Sequence, residues 1–385
     1  MNELLHELNK ETQERLGGTE ISRQAQIFYE NNRAAGAYMF GYPAHRYPLS
    51  PLTQYLLLMH YTSPFSNNCG DIDERGNYAM DTKTIEKKIV GLYAEKFGMG
   101  ENFWGYVTSG GSESNSCGIT LAFSKNPNGI LYYFENAHYS VEKYASTYPC
   151  TRIPSFSRDI PDYGALFEAI EKNYKEKGAA ANIVLTHGTT RYGACDGVDK
   201  VVAFLREKEI PYYLHVDAAL FGGIQNGQKD APILSDCKQR GIDSVSVSLH
   251  KYVGFPDVKS VFVATEKPRG KEIAYIGQHD TTVSGSRSIP AYALYNHLRE
   301  QLRETDTEQY SRAVKGFEKL LTEAGVPFYR APLSNIFVID EPSPCVCKKY
   351  QLSCFEDDGK ALAHIIVFPS HGEKEMRELV NDLKE

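Results

Sequence analysis

Several short stretches of this chain place reactive side chains where an apolar run stops. In SVSVSLHKYVGF, Ser244 to Phe255, a β-rich run ends in Ser248, His250 and Lys251. A lysine there either emerges into water or is held as a nucleophile at the mouth of a sheet. In YYLHVDAALFGG, Asp217 closes an apolar run and is followed by Ala218, Ala219 and a glycine pair. An acid in that position is expensive to bury unless something cationic pairs with it. In YVTSGGSESN, a strand-like run enters Gly110 and Gly111, and Ser112 opens a helical pattern. Helix-start N–H groups approached through glycines suit an anion, although a plain serine cap reads the same way. His138 follows the run ILYYF, and Thr189 and Thr190 follow VLTHG. Their hydroxyls suit a phosphate or an ordinary turn.

Together these residues fit one chemistry. A phosphate cradle, an aromatic stacking partner, a buried acid and a strand-end lysine are what pyridoxal phosphate requires. The amine forms a Schiff base with the aldehyde, and the acid keeps the pyridine nitrogen protonated so that the ring becomes an electron sink. The glycine loop is not G-x-G-x-x-G and no Walker lysine follows it, which weakens dinucleotide and nucleoside-triphosphate readings. No metal is expected. His215 and Asp217 share a strand face but lack further ligands, and Cys345, Cys347 and Cys354 with His364 match no common zinc spacing.

The rest of the chain must position these groups. It has 385 residues, 42% hydrophobic and 24% charged, with a formal net charge of −7. That balance suits a soluble globular protein with a large core and advertises neither nucleic acid nor an anionic membrane as a partner. The opening residues, MNELLHELNKETQERLGG, read as a charged amphipathic helix and not a signal peptide. The eight cysteines are scattered, as expected for reduced thiols of a cytoplasmic protein. Strand-sized runs FWGYVTS, ILYYF, NIVLTH, PYYLHVD, SVSVS and SVFVAT alternate with helical patterns, which predicts an α/β domain with a mostly parallel sheet. The rhythm changes near residue 286. The expected organisation is a helix and arm over 1–50, a large domain over 51–285 and a small α+β domain over 286–385.

These motifs, in this order, resemble the group II pyridoxal-phosphate-dependent amino acid decarboxylases of aspartate-aminotransferase fold type (fold type I). The resemblance covers most of the chain and includes GYPAHRYPLSPLTQY, NNCGD, TSGGSESN, ENAHYSV, GTTRYGACD, HVDAALFGG, VSLHKYVG and SGSRSIPAYALYNHL. Within the family it is most similar to bacterial histidine decarboxylases and plant serine decarboxylases. It implies a seven-stranded sheet, a small C-terminal domain and a homodimer with active sites at the subunit interface. Lys251 then matches the Schiff-base lysine, Asp217 the pyridine-nitrogen acid, Ala219 the residue beneath the ring and His138 the stacking imidazole. Gly111, Ser112, Thr190, Ser248 and His250 match phosphate and cofactor contacts, and Ser286 matches a contact made across the dimer. Two departures bear on the substrate: Ser112 stands where threonine is commoner, and Leu249 where glycine is. Tyr42, His45 and Asn68 are candidate substrate contacts. Tyr252, Tyr275 and His279 are candidate proton donors, the last two in a segment that reads as flexible. The expected reaction is decarboxylation of an L-amino acid, histidine first, with serine and aromatic amino acids next. Aminotransferase or carbon–carbon lyase chemistry on the same cofactor is the alternative.

Overall fold

The six apolar runs become strands of one sheet: β1 (Trp104–Thr108), β2 (Ile130–Phe134), β4 (Ala181–Thr186), β5 (Tyr212–Asp217), β6 (Ser244–Ser248) and β7 (Ser260–Ala264). A seventh, β3 (Cys150–Ile153), forms one edge; its sequence CTRI carries too little apolar pattern to announce a strand. The coordinates are a computed structural model that describes residues 20–62, 66–77 and 80–384, so the helix read at 1–18 lies outside the described residues. The strand order is β1-β7-β6-β5-β4-β2-β3. The β3–β2, β2–β4, β4–β5 and β5–β6 pairs are parallel, and β7 alone runs antiparallel to its neighbours β1 and β6. Both faces are covered by helices, which is why central strands such as ANIVLT and SVSVS are buried along their whole length.

On one face, α4 (Gly111–Lys125) crosses beneath β5, β6 and β7. Its close approach depends on Gly118, where a Cβ would lie 2.5 Å from Cγ of His215. Across the sheet, α3 (Lys83–Phe97) packs on β1 and β7. A later helix, Ala291–Gln301, packs on α3 and on α2 (Pro51–Thr62). That later helix follows the boundary read at residue 286, yet Ala291, Ala293, Leu294 and Leu298 belong to the core of the large sheet. The second core instead gathers the helix Gln309–Ala324 and the antiparallel strands β8 (Ile336–Asp340), β9 (Ser353–Asp357) and β10 (Lys360–Ile366), in the order β8-β10-β9. The segment read as flexible forms a short hairpin, Lys271–Ile273 against Gln278–Asp280.

After α1 (Glu20–Gly36), the N-terminal arm stitches the two cores together. Phe40 is fully buried in the second core, and its carbonyl accepts from the Ile366 N–H at 2.6 Å. A few residues on, the His45 N–H donates to the carbonyl of Lys251 at 3.0 Å. Burial pushes four histidines, His45, His187, His215 and His371, from 6.5 down to about 4. The folded chain therefore refuses protons that the unfolded chain takes up below about 6.5. Their neutral burial is without penalty above that pH and opposes folding increasingly as pH falls towards 4. Thermal or denaturant melts should show stability falling from pH 6.5 to 4 with a slope of more than one proton. A flat profile over that window would contradict the neutral burial of these rings.

Candidate active site

The carboxyl ends of β4, β5 and β6 and the start of α4 enclose a cavity of about 540 Å³, a usual size for a small-molecule site. Lys251, His138 and Asp217 all line it. Lys251 follows the end of β6, and burial lowers its ammonium below the ordinary lysine value while the nearby Asp217 charge opposes the shift. His138 caps the helix Tyr139–Ala145. Burial lowers its imidazole too, with Asp217 raising and Lys251 lowering it. Asp217 ends β5, 3% exposed. Its Oδ1 accepts from the Ala219 N–H at 3.0 Å and its Oδ2 from Asn115 Nδ2 at 2.8 Å.

The residues read as an anion cradle also line this cavity. Gly110, at φ 146°, turns the chain into α4, and Gly111 and Ser112, whose first-turn N–H groups have no intrahelical acceptor, line the cavity. A Cβ on Gly111 would stand 3.0 Å from Ser248 Oγ, so a side chain there would crowd the cradle. Ser248, Ala219, His250 and Thr190 join the same lining. Of the threonine pair, only Thr190 does so; Thr189 is fully buried and accepts from the Ala194 N–H at 3.0 Å. His250 is braced from behind, its Nδ1 donating to the Lys259 carbonyl at 3.2 Å.

Among the three candidate substrate contacts, the structure brings Tyr42 to the cavity and leaves the other two behind it. His45 is buried, donates from Nδ1 to the Tyr252 carbonyl at 2.8 Å and stacks on Phe368 with centroids 5.3 Å apart. Asn68 is fully buried, donating to Glu86 Oε2 at 2.7 Å and accepting from the Thr82 N–H at 2.7 Å. Both were read from polarity within an arm motif, and both use that polarity to hold backbone. Ser286 does not line this subunit's cavity either; its Oγ accepts from Asn67 Nδ2 at 3.2 Å on the surface. None of the candidate proton donors reaches the cavity. Tyr252 is buried in the second core, Tyr275 is exposed at the hairpin, and His279 pairs with Glu74 at 3.0 Å.

Two groups that the sequence motifs pointed past prove central. Asn115, one turn into α4 and 1% exposed, is the donor to Asp217, and Ser140 touches both Asn115 and His138. Only its place one turn after the glycine pair, towards the sheet, could have marked Asn115. His215 is no metal ligand here: Nδ1 lies 2.9 Å from Ser244 Oγ and Nε2 3.1 Å from Asn115 Oδ1. Of the cysteine set, Cys347 and Cys354 approach to 3.5 Å beside Glu341, whereas His364 Nε2 donates to the Gly41 carbonyl at 3.1 Å.

The donor set fits pyridoxal phosphate. Asp217 forms no ion pair among the described residues; neutral N–H groups satisfy it, so a cationic ring N–H suits its remaining lone pairs. A nucleophilic amine, a helix-start anion cradle and a flat imidazole share the same cavity. The Pyridoxal-dependent decarboxylase conserved domain matches residues 124–276. Histidine decarboxylase of Pseudomonas entomophila (strain L48) is 32% identical over 354 residues, covering 87% of this chain and 84% of its own. Serine decarboxylase 2 of Oryza sativa subsp. japonica is 31% identical over 381 residues, covering 95% and 78%. In fold, the chain is similar to L-methionine decarboxylase from Streptomyces sp.590, with a TM-score of 0.80, 19% identity and 95% of each chain covered. The parallel sheet with its single reversed strand is accordingly that of fold type I. By cavity, fold and kinship together, this chain belongs to the pyridoxal-dependent decarboxylases, with pyridoxal 5′-phosphate as its cofactor.

Proposed function

We propose that this amino acid decarboxylase converts L-histidine to histamine and CO₂. The observation that carries decarboxylase chemistry is the meeting of Lys251, Asp217 and His138 around one cavity. Histidine itself is supported by the likeness to several bacterial histidine decarboxylases at 30–32% identity over most of the chain. The rice serine decarboxylase, at 31% identity over 95% of the chain, favours serine as the second reading.

When bound, the cofactor supplies an electron sink for the pair left behind by the departing carboxylate. The chain's residues do the rest. Lys251, its ammonium destabilised by burial, offers a free amine at lower pH than an ordinary lysine, as a nucleophile must. Asp217, fixed by Ala219 and Asn115, would hold the pyridine nitrogen with its remaining lone pairs. His138, kept neutral by burial, gives a flat face against the ring without adding positive charge. Gly111, Ser112, Ser248 and Thr190, which line the cavity with His250, would hold the phosphate. Tyr42, on the same lining, would meet the substrate.

We also propose that the active unit is a two-fold homodimer in which Ser286 serves the partner's site. Its exposed position off this subunit's cavity supports that reading, as do the exposed Tyr139, Val258 and Val283. Tyr139 and Val258 line the same cavity, which would leave apolar surface at its mouth in a lone chain.

Lys251→Ala should abolish turnover, and borohydride reduction of the wild type should place the cofactor label on the Lys251 peptide. Label on another lysine sinks the assignment. Asp217→Asn should retain some cofactor and lose ~10²-fold or more in kcat, since it removes a preorganised charge; an unchanged kcat would make the acid structural only. A panel of amino acids, with amine and CO₂ products followed by mass spectrometry, should show histidine preferred. Preference for glutamate or leucine would overturn the substrate, and preference for serine would select the second reading. Mixing inactive Lys251→Ala and Ser286→Glu subunits should restore up to about half of the wild-type activity per heterodimer, because one of the two sites escapes both defects. Verified heterodimers without recovery would place Ser286 outside the partner's site.

A further inference from the structure

Beneath the cavity, hydrogen-bond directions follow from one end. Asp217 Oδ2 faces the side-chain amide of Asn115 at 2.8 Å, and the amide nitrogen can only donate. The second hydrogen on Nδ2 goes to Ser140 Oγ at 3.0 Å. Ser140 Oγ also lies 2.8 Å from His138 Nδ1, where a hydroxyl can donate or accept, and the next bond sets the direction. The backbone N–H of Ser140 points at the same nitrogen from 3.3 Å. Two donors on Nδ1 leave no room for a proton of its own.

The other end of Asn115 is held just as firmly. Its Oδ1 accepts from Ser246 Oγ at 3.2 Å and from His215 Nε2 at 3.1 Å. His215, neutral through burial, then has a bare Nδ1 that accepts from Ser244 Oγ at 2.9 Å, and Ser244 accepts from the Tyr213 hydroxyl at 3.0 Å. The amide cannot flip without facing donor to donor at one end and acceptor to acceptor at the other. Asn115, Ser140, His215, Ser244 and Ser246 are all at most 1% exposed, so water does not compete for these bonds.

We infer that Asn115 and Ser140 are positioning residues, fixing His138 as the Nε2–H tautomer and tying its ring plane to Asp217 through one oriented hydrogen-bond chain. The inference rests on the roles proposed above for His138 and Asp217. It makes the acid and the stacking imidazole a single mechanical unit. It also means that the neutral imidazole donates through Nε2 and has no free acceptor nitrogen, so His138 can hydrogen-bond a substrate oxygen but cannot take a proton from substrate through Nδ1. The charged residues lining the cavity with the ring are Glu113, Asp217 and Lys251, and Glu135, Arg152, Arg191 and Asp357 line the adjoining one.

The test is ¹⁵N NMR of histidine-labelled holoenzyme, with His138 identified by the signals lost in His138→Gln. The expected result is a pyridine-like Nδ1 and a pyrrole-like Nε2. Ser140→Ala should shift these signals towards a tautomer mixture and change the cofactor's visible circular dichroism. It should also raise the acid limb of the kcat/KM profile by about one pH unit or less, since one donor opposing protonation of Nδ1 is gone. Ser140→Thr, which keeps the hydroxyl, should return all three towards wild type. An Nδ1–H tautomer in the wild type, or Ser140→Ala spectra and profile identical to wild type, would overturn the inference. Failure to bind cofactor would instead defeat the functional reading, while the tautomer of the cofactor-free protein would still decide the network.

Discussion

The carboxylate of Asp217 is the constraint on which the site depends. A buried acid at the end of a central strand is tolerable only if donors meet it and a cation is expected. The donors come from two directions. Ala219 N–H bends back from the turn just after β5, and Asn115 reaches down from α4. For Asn115 to reach, α4 must lie close on the sheet, and Gly118 permits that by leaving room for the His215 ring. The same helix start that forms the anion cradle is thereby locked to the acid, one turn away. The spacing between the helix start and the acid is thus set by one turn of α4.

A second set of contacts holds Lys251. Its backbone is grasped by the N-terminal arm through His45, whose own ring is wedged between Tyr252 and Phe368. The arm in turn is pinned by Phe40 in the second core. The small sheet therefore bears on the chemistry through the lysine's support, not through lining residues. On the far side, Arg287 lies buried between Glu86, at 3.4 Å, and the Tyr106 ring, 4.8 Å from its centroid. Glu86 also accepts from the Val107 N–H and Asn68. Removing one partner of such a pair typically costs about 3–5 kcal/mol. The ion pair thus fixes where the loop bearing Ser286 leaves the core.

The sequence carried the strands that are buried on both faces and the residues that end them. Continuous apolar runs broken by Gly, Asp, His or Lys are visible without a fold, because burial in a parallel sheet demands them. Lys251, Asp217, His138 and Gly111 stand where such runs end, whereas Thr190 is set apart from Thr189 only by the family resemblance. The edge strand β3 was not legible, since CTRI is short and half exposed, with only Ile153 apolar and buried. The helix Ala291–Gln301 was set apart by a change of rhythm along the chain, but its apolar stripe faces the large sheet, a choice made by packing partners distant in sequence.

What the sequence determined by itself is the inventory and its order: which side chains stand at strand ends, and hence a pyridoxal phosphate site in an α/β fold. Tertiary structure decided which polar residues serve that site and which serve the scaffold. His45 and Asn68 resemble ligand contacts in one dimension, yet each meets a carbonyl, carboxylate or N–H group that folding would otherwise leave unsatisfied. Asn115 and Ser140 look like ordinary helix residues, yet they join Asp217 to His138. The physical reason is that a hydrogen bond is specified by distance and direction, and Asn115 meets Ser140 and Asp217 from 25 and 102 positions away, so only the packed sheet and helices supply either.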